Sequence, residues 1–271
     1  MRLLVFGSVM YLVYTPLAKN FAIRTIWRIL TILSDGYIKL WRIKIKLTRE
    51  LFFDLERQLK NAGLDSDAES FDVIKGRLSH PSRLSFDDFA AAAIYVILAG
   101  GFSQKTAKTK HAEIIKYIKK AGKMVNLDGL LQIFNNRNKM SAALQIWQNR
   151  QRYCDGYYKQ DNLDSKLSYL SALPHIGRIT ASHFARNLGE NVVKYDIWIQ
   201  RLGIAFATQG IGHKAKDIRH KINNGKLDKD VKTACDEMFA HLERETGLPR
   251  GYIDVVLFRA CQNKFIVISD K

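Results

Sequence analysis

The residues of this chain best placed to do chemistry lie between Leu170 and Leu202, in the stretch LSALPHIGRITASHFARNLGENVVKYDIWIQRL. Pro174 prevents the helix that precedes it from continuing, because proline has no N–H and its ring clashes with the turn before. His175, Ile176 and Gly177 then make a tight turn, with glycine tolerating backbone that side chains disfavour, and a second helix starts at about Arg178. The amides of the turn and of the new helix start lack intrahelical partners, so they form a ready site for a phosphate. Contacts of this kind go to a sugar–phosphate backbone and carry no base sequence. Gly189 suits the left-handed end of the second helix, NVVKY runs extended, and Asp196 opens the helix IWIQRL. Asp196 follows Ile179 by seventeen residues (196 − 179 = 17). A carboxylate there would face a nucleotide held by the hairpin. It could stabilise an oxocarbenium-like sugar and orient or deprotonate a water.

The elements that must position these residues read as helices almost throughout. Apolar residues recur at three- and four-residue spacing and alternating runs are nearly absent. Helices are expected over 21–33, 37–61, 68–76, 86–100, 104–120, 127–134, 138–152, 163–172, 178–188, 197–207, 214–223, 230–245 and 250–264. The run from Phe86 to Ala99 (FDDFAAAAIYVILA) has the composition of a central helix packed on several sides. Residues 178–188 carry small side chains that permit close helix approach. A boundary is expected near His80–Pro81, dividing a basic, apolar helical N-terminal extension (1–80) from a functional core (81–271) with its hairpin at 171–181 and its loop at 190–197.

LPHIGRITA followed by VVKYDIWIQRL resembles the helix–hairpin–helix (HhH-GPD) DNA glycosylase superfamily, whose members include endonuclease III and the adenine-mismatch, alkyladenine and oxoguanine glycosylases. The family pattern is a Leu-Pro-Gly-hydrophobic-Gly hairpin and an extended connection to an essential Asp. It is matched at Leu173, Pro174, Gly177, Thr180, Ala181 and Asp196, and beyond at Arg201 and Leu202. The clear match spans Leu170 to Leu202 and a weaker one runs from Phe86 to Phe265.

The resemblance implies an all-α, two-lobed fold that flips a damaged or modified base from duplex DNA and cuts its N-glycosidic bond. Carried over residue by residue, Asp196 becomes the catalytic carboxylate. The amides of His175, Gly177 and Ile179 would hold a DNA phosphate, with Arg178 and Thr180 beside them. The carbonyls of Ser171, Leu173 and Ile176 match positions that bind a structural Na+ or K+. Gln104 stands where relatives place the residue that fills the gap left by the flipped base. Two departures matter. Ile179 occupies the position of the Schiff-base lysine of strand-cutting relatives and cannot be a nucleophile, which points to a monofunctional enzyme using water. His175 stands where Gly is usual. Lys194 or Lys139 could replace the missing lysine, although in so basic a chain each reads first as a surface lysine. Two further readings stay open: a defence enzyme acting on modified phage DNA, and a non-catalytic hairpin clip.

Bulk properties agree with a polyanion partner. The 271 residues carry 43 Lys and Arg against 26 Asp and Glu, a net charge of +17, which attracts nucleic acid or an anionic membrane surface. Double-stranded DNA is the expected partner of a cytoplasmic monomer with no obligate protein partner. Cys154, Cys235 and Cys261 are too few and too scattered for a disulfide framework or a four-cysteine cluster, and the histidines show no metal-ligand spacing. No cofactor is therefore expected, and no iron–sulfur cluster. Leu3 to Tyr14 is an apolar run of 12 residues, too short to span a bilayer comfortably. Eight basic residues and one acid follow between Lys19 and Arg49. They suit a helical appendage, or an amphipathic pair lying on DNA or a membrane surface.

Overall fold

Small polar residues set the helix starts. In the computed structural model, which describes residues 3–6, 9–12, 38–40, 47–207, 219–222 and 227–268, the first two helices are α1 (Arg49–Asn61) and α2 (Phe71–Ser79). The hydroxyls of Thr48 and Ser70 accept the Leu51 and Val73 amides at their N-termini. Next come α3 (Phe86–Ala99), α4 (Gln104–Ala121), α5 (Leu127–Ile133) and α6 (Arg137–Gln148), capped in the same way by Ser85, Ser103, Asn126 and Asn136. Each such cap satisfies an amide that the helix itself cannot. Then follow α7 (Arg150–Tyr158), α8 (Leu163–Ser171), α9 (Arg178–Asn187), α10 (Ile197–Ala207), α11 (Lys229–Thr246) and α12 (Arg250–Gln262).

These helices bury two cores, so the expected all-α, two-lobed architecture is the one observed. Residues from α3 to α9 form the first, with Phe89, Ile94, Ile97, Met140, Ile146, Tyr157 and Phe184 at its centre. The second is built by α10, α11 and α12 together with α1 and α2: Phe52, Leu55, Leu59, Phe71 and Ile74 pack with Ile199, Phe239, Tyr252 and Val256. The division expected near His80 therefore does not coincide with a division of the core. Among the described helices, α1 and α2 belong to one lobe, α3 to α9 build the other, and α10 to α12 return to the first.

Several expected elements differ in detail. The helix expected over 138–152 is two helices, broken at Asn149. The one expected over 37–61 starts at Arg49, and residues Ile38–Leu40 instead form a strand paired in parallel with Ile266–Ile268. Leu3–Phe6 pairs antiparallel with Val9–Leu12. Where it is described, the extension is thus strand in these three short segments and helical in α1 and α2. The apolar run that holds the first two strands lacks helical spacing. The helix expected over 21–33 lies outside the described residues. Of that expected over 214–223, only 219–222 is described, with a short 3-10 turn at Arg219–Lys221. No helix among the described residues is long and apolar enough to cross a membrane.

The contact between α10 and α11 depends on one glycine. A Cβ on Gly203 would fall 2.5 Å from Cys235 Sγ, 2.9 Å from its Cα and 3.0 Å from its N. Two of these are backbone atoms, so the helices themselves would have to part. Gly203→Ala is expected to destabilise by about 1–3 kcal/mol, seen as a lower urea midpoint at unchanged m-value.

Candidate active site

The hairpin joins α8 to α9 on the surface of the first lobe. Leu173 and Ile176 anchor it by burying their side chains, and the Ile176 amide donates to Leu173 O at 3.1 Å. The residue in left-handed backbone is His175, at φ 60°, and not Gly177, which sits at φ −91°, ψ 177°. What glycine provides at 177 is bare space: a Cβ there would meet nothing within 4 Å. Gly177 is the N-cap of α9 and no side chain caps that helix. Its first backbone bond runs from Ala181 N to Gly177 O at 2.7 Å, leaving the amides of Arg178, Ile179 and Thr180 at the uncapped end. His175, Gly177 and Arg178 are exposed, whereas Ile179 and Thr180 are half-buried.

Lys139 is not on the surface. It is 6% exposed, and its ammonium donates to Ile97 O at 2.6 Å, Leu98 O at 3.3 Å and Gly100 O. It thereby satisfies the carbonyls at the end of α3, where a positive charge is favoured. The same ammonium lies 4.7 Å from the centroid of the Phe102 ring. Partial burial, and next the charge of Lys139, hold the His175 imidazole below its usual pKa, so the α3–α4 turn and the hairpin are neighbours. Gln104 does not project freely: its amide donates to Ser66 O and, at 3.1 Å, to Asp67 O. Phe102, two residues earlier, is 41% exposed.

Asp196 joins the second lobe at the start of α10. One carboxylate oxygen, Oδ1, accepts the amides of Trp198 at 3.0 Å and Ile199 at 3.1 Å. The other, Oδ2, lies 3.3 Å from Lys194 Nζ, which also sits 4.4 Å from the Phe258 ring centroid. Asp196 is 8% exposed. Capping thus uses one oxygen of this residue and the ion pair the other. Among the neighbouring aromatics, Phe184 is core, while Tyr195 and Trp198 pack at the edge of the second core.

Behind Asp196 lies a buried polar network of Asp67, Tyr95, Arg186 and Asp254, none of which sequence reading singled out. Arg186 on α9 reaches from the first lobe to two carboxylates of the second: Asp67 in the α1–α2 connection, and Asp254 on α12 at 2.5 Å. Tyr95 Oη donates to Asp67 Oδ1 at 3.0 Å. His183 Nε2 stands 2.9 Å from Asp67 Oδ2 without hydrogen-bonding direction. The available signals were a lone acid within the apolar run GYIDVVLF and a lone arginine beside Phe184 and Ala185 on α9.

These burials shift titrations in opposite directions. Burial lowers the His183 imidazole to about 4, against the pull of Asp67. Burial raises the Asp254 carboxyl to about 6, opposed by Arg186 and helped by Asp196. For Asp67, burial is overcome by His183 and Arg186, which hold it well below the usual carboxylate range. Between the ordinary histidine value of 6.5 and about 4, the unfolded chain takes up a proton that folded His183 refuses, so stability falls as pH falls. Between about 6 and the ordinary 3.8, folded Asp254 takes up a proton before the unfolded chain does, so stability rises as pH falls. The two offset each other. Relative to wild type, His183→Gln is expected to gain stability as pH drops through this window and Asp254→Asn to lose it, by up to about 1.4 kcal/mol per pH unit. Urea midpoints measured at several pH values would reveal the two opposite slopes; parallel curves would refute them.

No family model matches the chain, and no curated protein sequence matches it either. Solved structures do. The crystal structure of the Methanocaldococcus jannaschii 8-oxoguanine glycosylase/lyase in complex with a 15mer DNA containing 8-oxoguanine aligns at a TM-score of 0.53 and 17% identity, over 80% of this chain and 100% of that one. A second structure, described as the 8-oxoguanine DNA glycosylase of M. jannaschii, aligns at 0.52 and 18% identity, over 81% and 96% of the two chains. With its two helical lobes and uncapped hairpin, this chain has the fold of those helix–hairpin–helix DNA glycosylase structures.

Proposed function

We propose that the protein is a DNA glycosylase that holds duplex DNA by the hairpin and hydrolyses the N-glycosidic bond of a flipped, damaged or modified base at Asp196. The carrying observation is the state of that carboxylate: one oxygen is fixed by the α10 amides, and among the described residues the other meets only the Lys194 ammonium. In the proposed reaction the C1′–N bond breaks with its electron pair going to the departing base. Asp196 stabilises the cationic sugar and accepts the proton of the attacking water. The uncapped amides of α9 and the exposed His175 and Arg178 take a phosphate. Among the described residues the carbonyls of Ser171 and Ile176 accept no backbone amide and that of Leu173 accepts one, so these oxygens would be the ones to hold a monovalent cation at the turn.

Ile179 provides no amine and Lys139 is occupied by three carbonyls, so the reading is monofunctional. Lys194, at 3.3 Å from Asp196, is the amine that a glycosylase/lyase like the M. jannaschii enzyme would need here. A panel of duplexes bearing uracil, hydroxymethyluracil, oxoguanine, alkylated purines, mismatches and glucosylated cytosine, incubated with and without alkali, separates the two. Base release with breaks only after alkali supports hydrolysis; breaks without alkali favour Lys194. Binding without release from any duplex would leave a non-catalytic clip.

With Gln104 tied to the α1–α2 connection, Phe102 becomes the side chain proposed to enter the base stack. It is exposed, aromatic and next to the hairpin through Lys139, and apolar wedges of this kind unstack base steps. Phe102→Ala is expected to slow single-turnover release about tenfold, the order of one lost stacking contact. The deficit should shrink when the target sits in a mismatch, which is already easier to flip. Equal deficits on matched and mismatched duplexes would remove the wedge role.

A further inference from the structure

The segment that carries Asp196 has little structure of its own. Between α9 and α10 its backbone bonds are local: Glu190 N to Ala185 O, Val192 N to Glu190 O and Asp196 N to Lys194 O. Tyr157 and Lys166 hold its Glu190 and Gln200 holds Tyr195 O; residues 191 and 194 are held by the start of α12. Gly251 N donates to Asn191 Oδ1 at 2.9 Å, and Lys194 N donates to Asp254 Oδ2 at 3.2 Å. Residues 251 and 254 are three apart on a helix and so share a face; they grip residues 191 and 194, also three apart. Between these two points the segment lies directly on the helix, since a Cβ on Gly251 would come within 3.2 Å of Val192 O and 3.4 Å of Val192 N.

Asp254 is itself immobilised. The oxygen that takes the Lys194 amide also takes Arg186 Nη1 at 2.5 Å, and Arg186 is bonded onward to Asp67. Asp254 and Arg186 are 1% exposed, so no solvent competes for either. A salt bridge that served only to join the lobes would not need the Lys194 amide. That extra bond ties the network to the segment two residues before Asp196.

We propose that Asp254 is a positioning residue for Asp196, setting through the Lys194 amide where the catalytic carboxylate stands relative to the flipped nucleotide; this rests on the glycosylase reading. Asp254 touches no substrate. Its effect is on placement, and a misplacement of about 1 Å can slow a reaction about 10²-fold.

The test compares wild type, Asp254→Ala, Asp254→Asn and Gly251→Ala as full chains, on the duplex from which wild type releases a base. Single-turnover release, affinity for the same duplex with an abasic-site analogue, and hydrogen exchange at the Lys194 amide are measured. Asp254→Ala should release base about 10²-fold more slowly at unchanged affinity and lose protection at Lys194. Asp254→Asn keeps an acceptor for that amide and should recover most of the rate and the protection. Gly251→Ala changes no charge, displaces the segment, and should lose rate without affinity. If Asp254→Ala does not fold, the other two variants decide. Wild-type rates in Gly251→Ala, or a parallel loss of rate and affinity that Asn does not restore, would overturn the proposal. A wild type that releases no base from any duplex removes the glycosylase reading and this with it. An active wild type beside an equally active Asp254→Ala removes this alone.

Discussion

Asp196→Asn is expected to lose base release by roughly 10²- to 10⁴-fold, the usual contribution of a positioned acid or base, while still binding the same duplexes. The substitution is a clean one here. The amide oxygen of Asn can accept from Trp198 and Ile199 as Oδ1 does now, so the start of α10 keeps its cap. Removed are the negative charge facing Lys194 and the capacity to take a proton from water. Melting temperature should stay near that of wild type, which excludes unfolding as the cause of the lost rate. A variant that releases base as fast as wild type would show that the chemistry lies elsewhere.

Arg186→Met should have the largest effect on stability, about 3–5 kcal/mol, the range for stranding a buried charge. The guanidinium is 1% exposed and answers two carboxylates from the other lobe. Without it Asp67 would keep Tyr95 and His183 beside it and Asp254 the Lys194 amide, with no guanidinium to answer either carboxylate. Since domains are stable by only about 5–15 kcal/mol, much of the folded population would be lost at physiological temperature. The companion variant is informative: Asp67→Leu and Asp254→Leu added to Arg186→Met should restore much of the stability, because hydrophobic replacement of a whole buried ionic group is often neutral or favourable. A triple variant as unstable as the single one would mean that shape, and not charge, is what Arg186 supplies.

The hairpin, the helix ends and Asp196 were legible because their causes are local. Proline at 174, glycine at 189 and an acid at a helix start each dictate backbone within a turn of themselves, and Gly189 does adopt positive φ, at 101°. The central helix over Phe86–Ala99 was legible from composition, and it is the most deeply buried stretch of the first lobe. Three things were not legible. Lys139 has the composition of a surface residue, and only the approach of three carbonyls from residues about forty positions earlier explains its burial. Gln104 was expected to fill the gap left by a flipped base, whereas its amide is bonded to Ser66 and Asp67, beyond the expected boundary at 80. The Asp67–Arg186–Asp254 network joins residues more than sixty apart, and nothing in local spacing specifies such a pairing. The left-handed turn residue was legible in kind but misplaced by two positions, since histidine at 175 tolerates what glycine at 177 was expected to supply.

The return of the chain to its first lobe has a consequence during synthesis. Glu56 on α1 waits for Tyr252 on α12, 196 residues later. At roughly 5–20 residues per second on the ribosome, that is about 10–40 s. The α3–α9 lobe is contiguous and can close as it emerges. The apolar faces of α1 and α2 cannot, because the core that covers them is translated last. Nascent chains halted before α12 should therefore present Phe52, Leu55 and Phe71 to whatever binds exposed apolar surface in the cell.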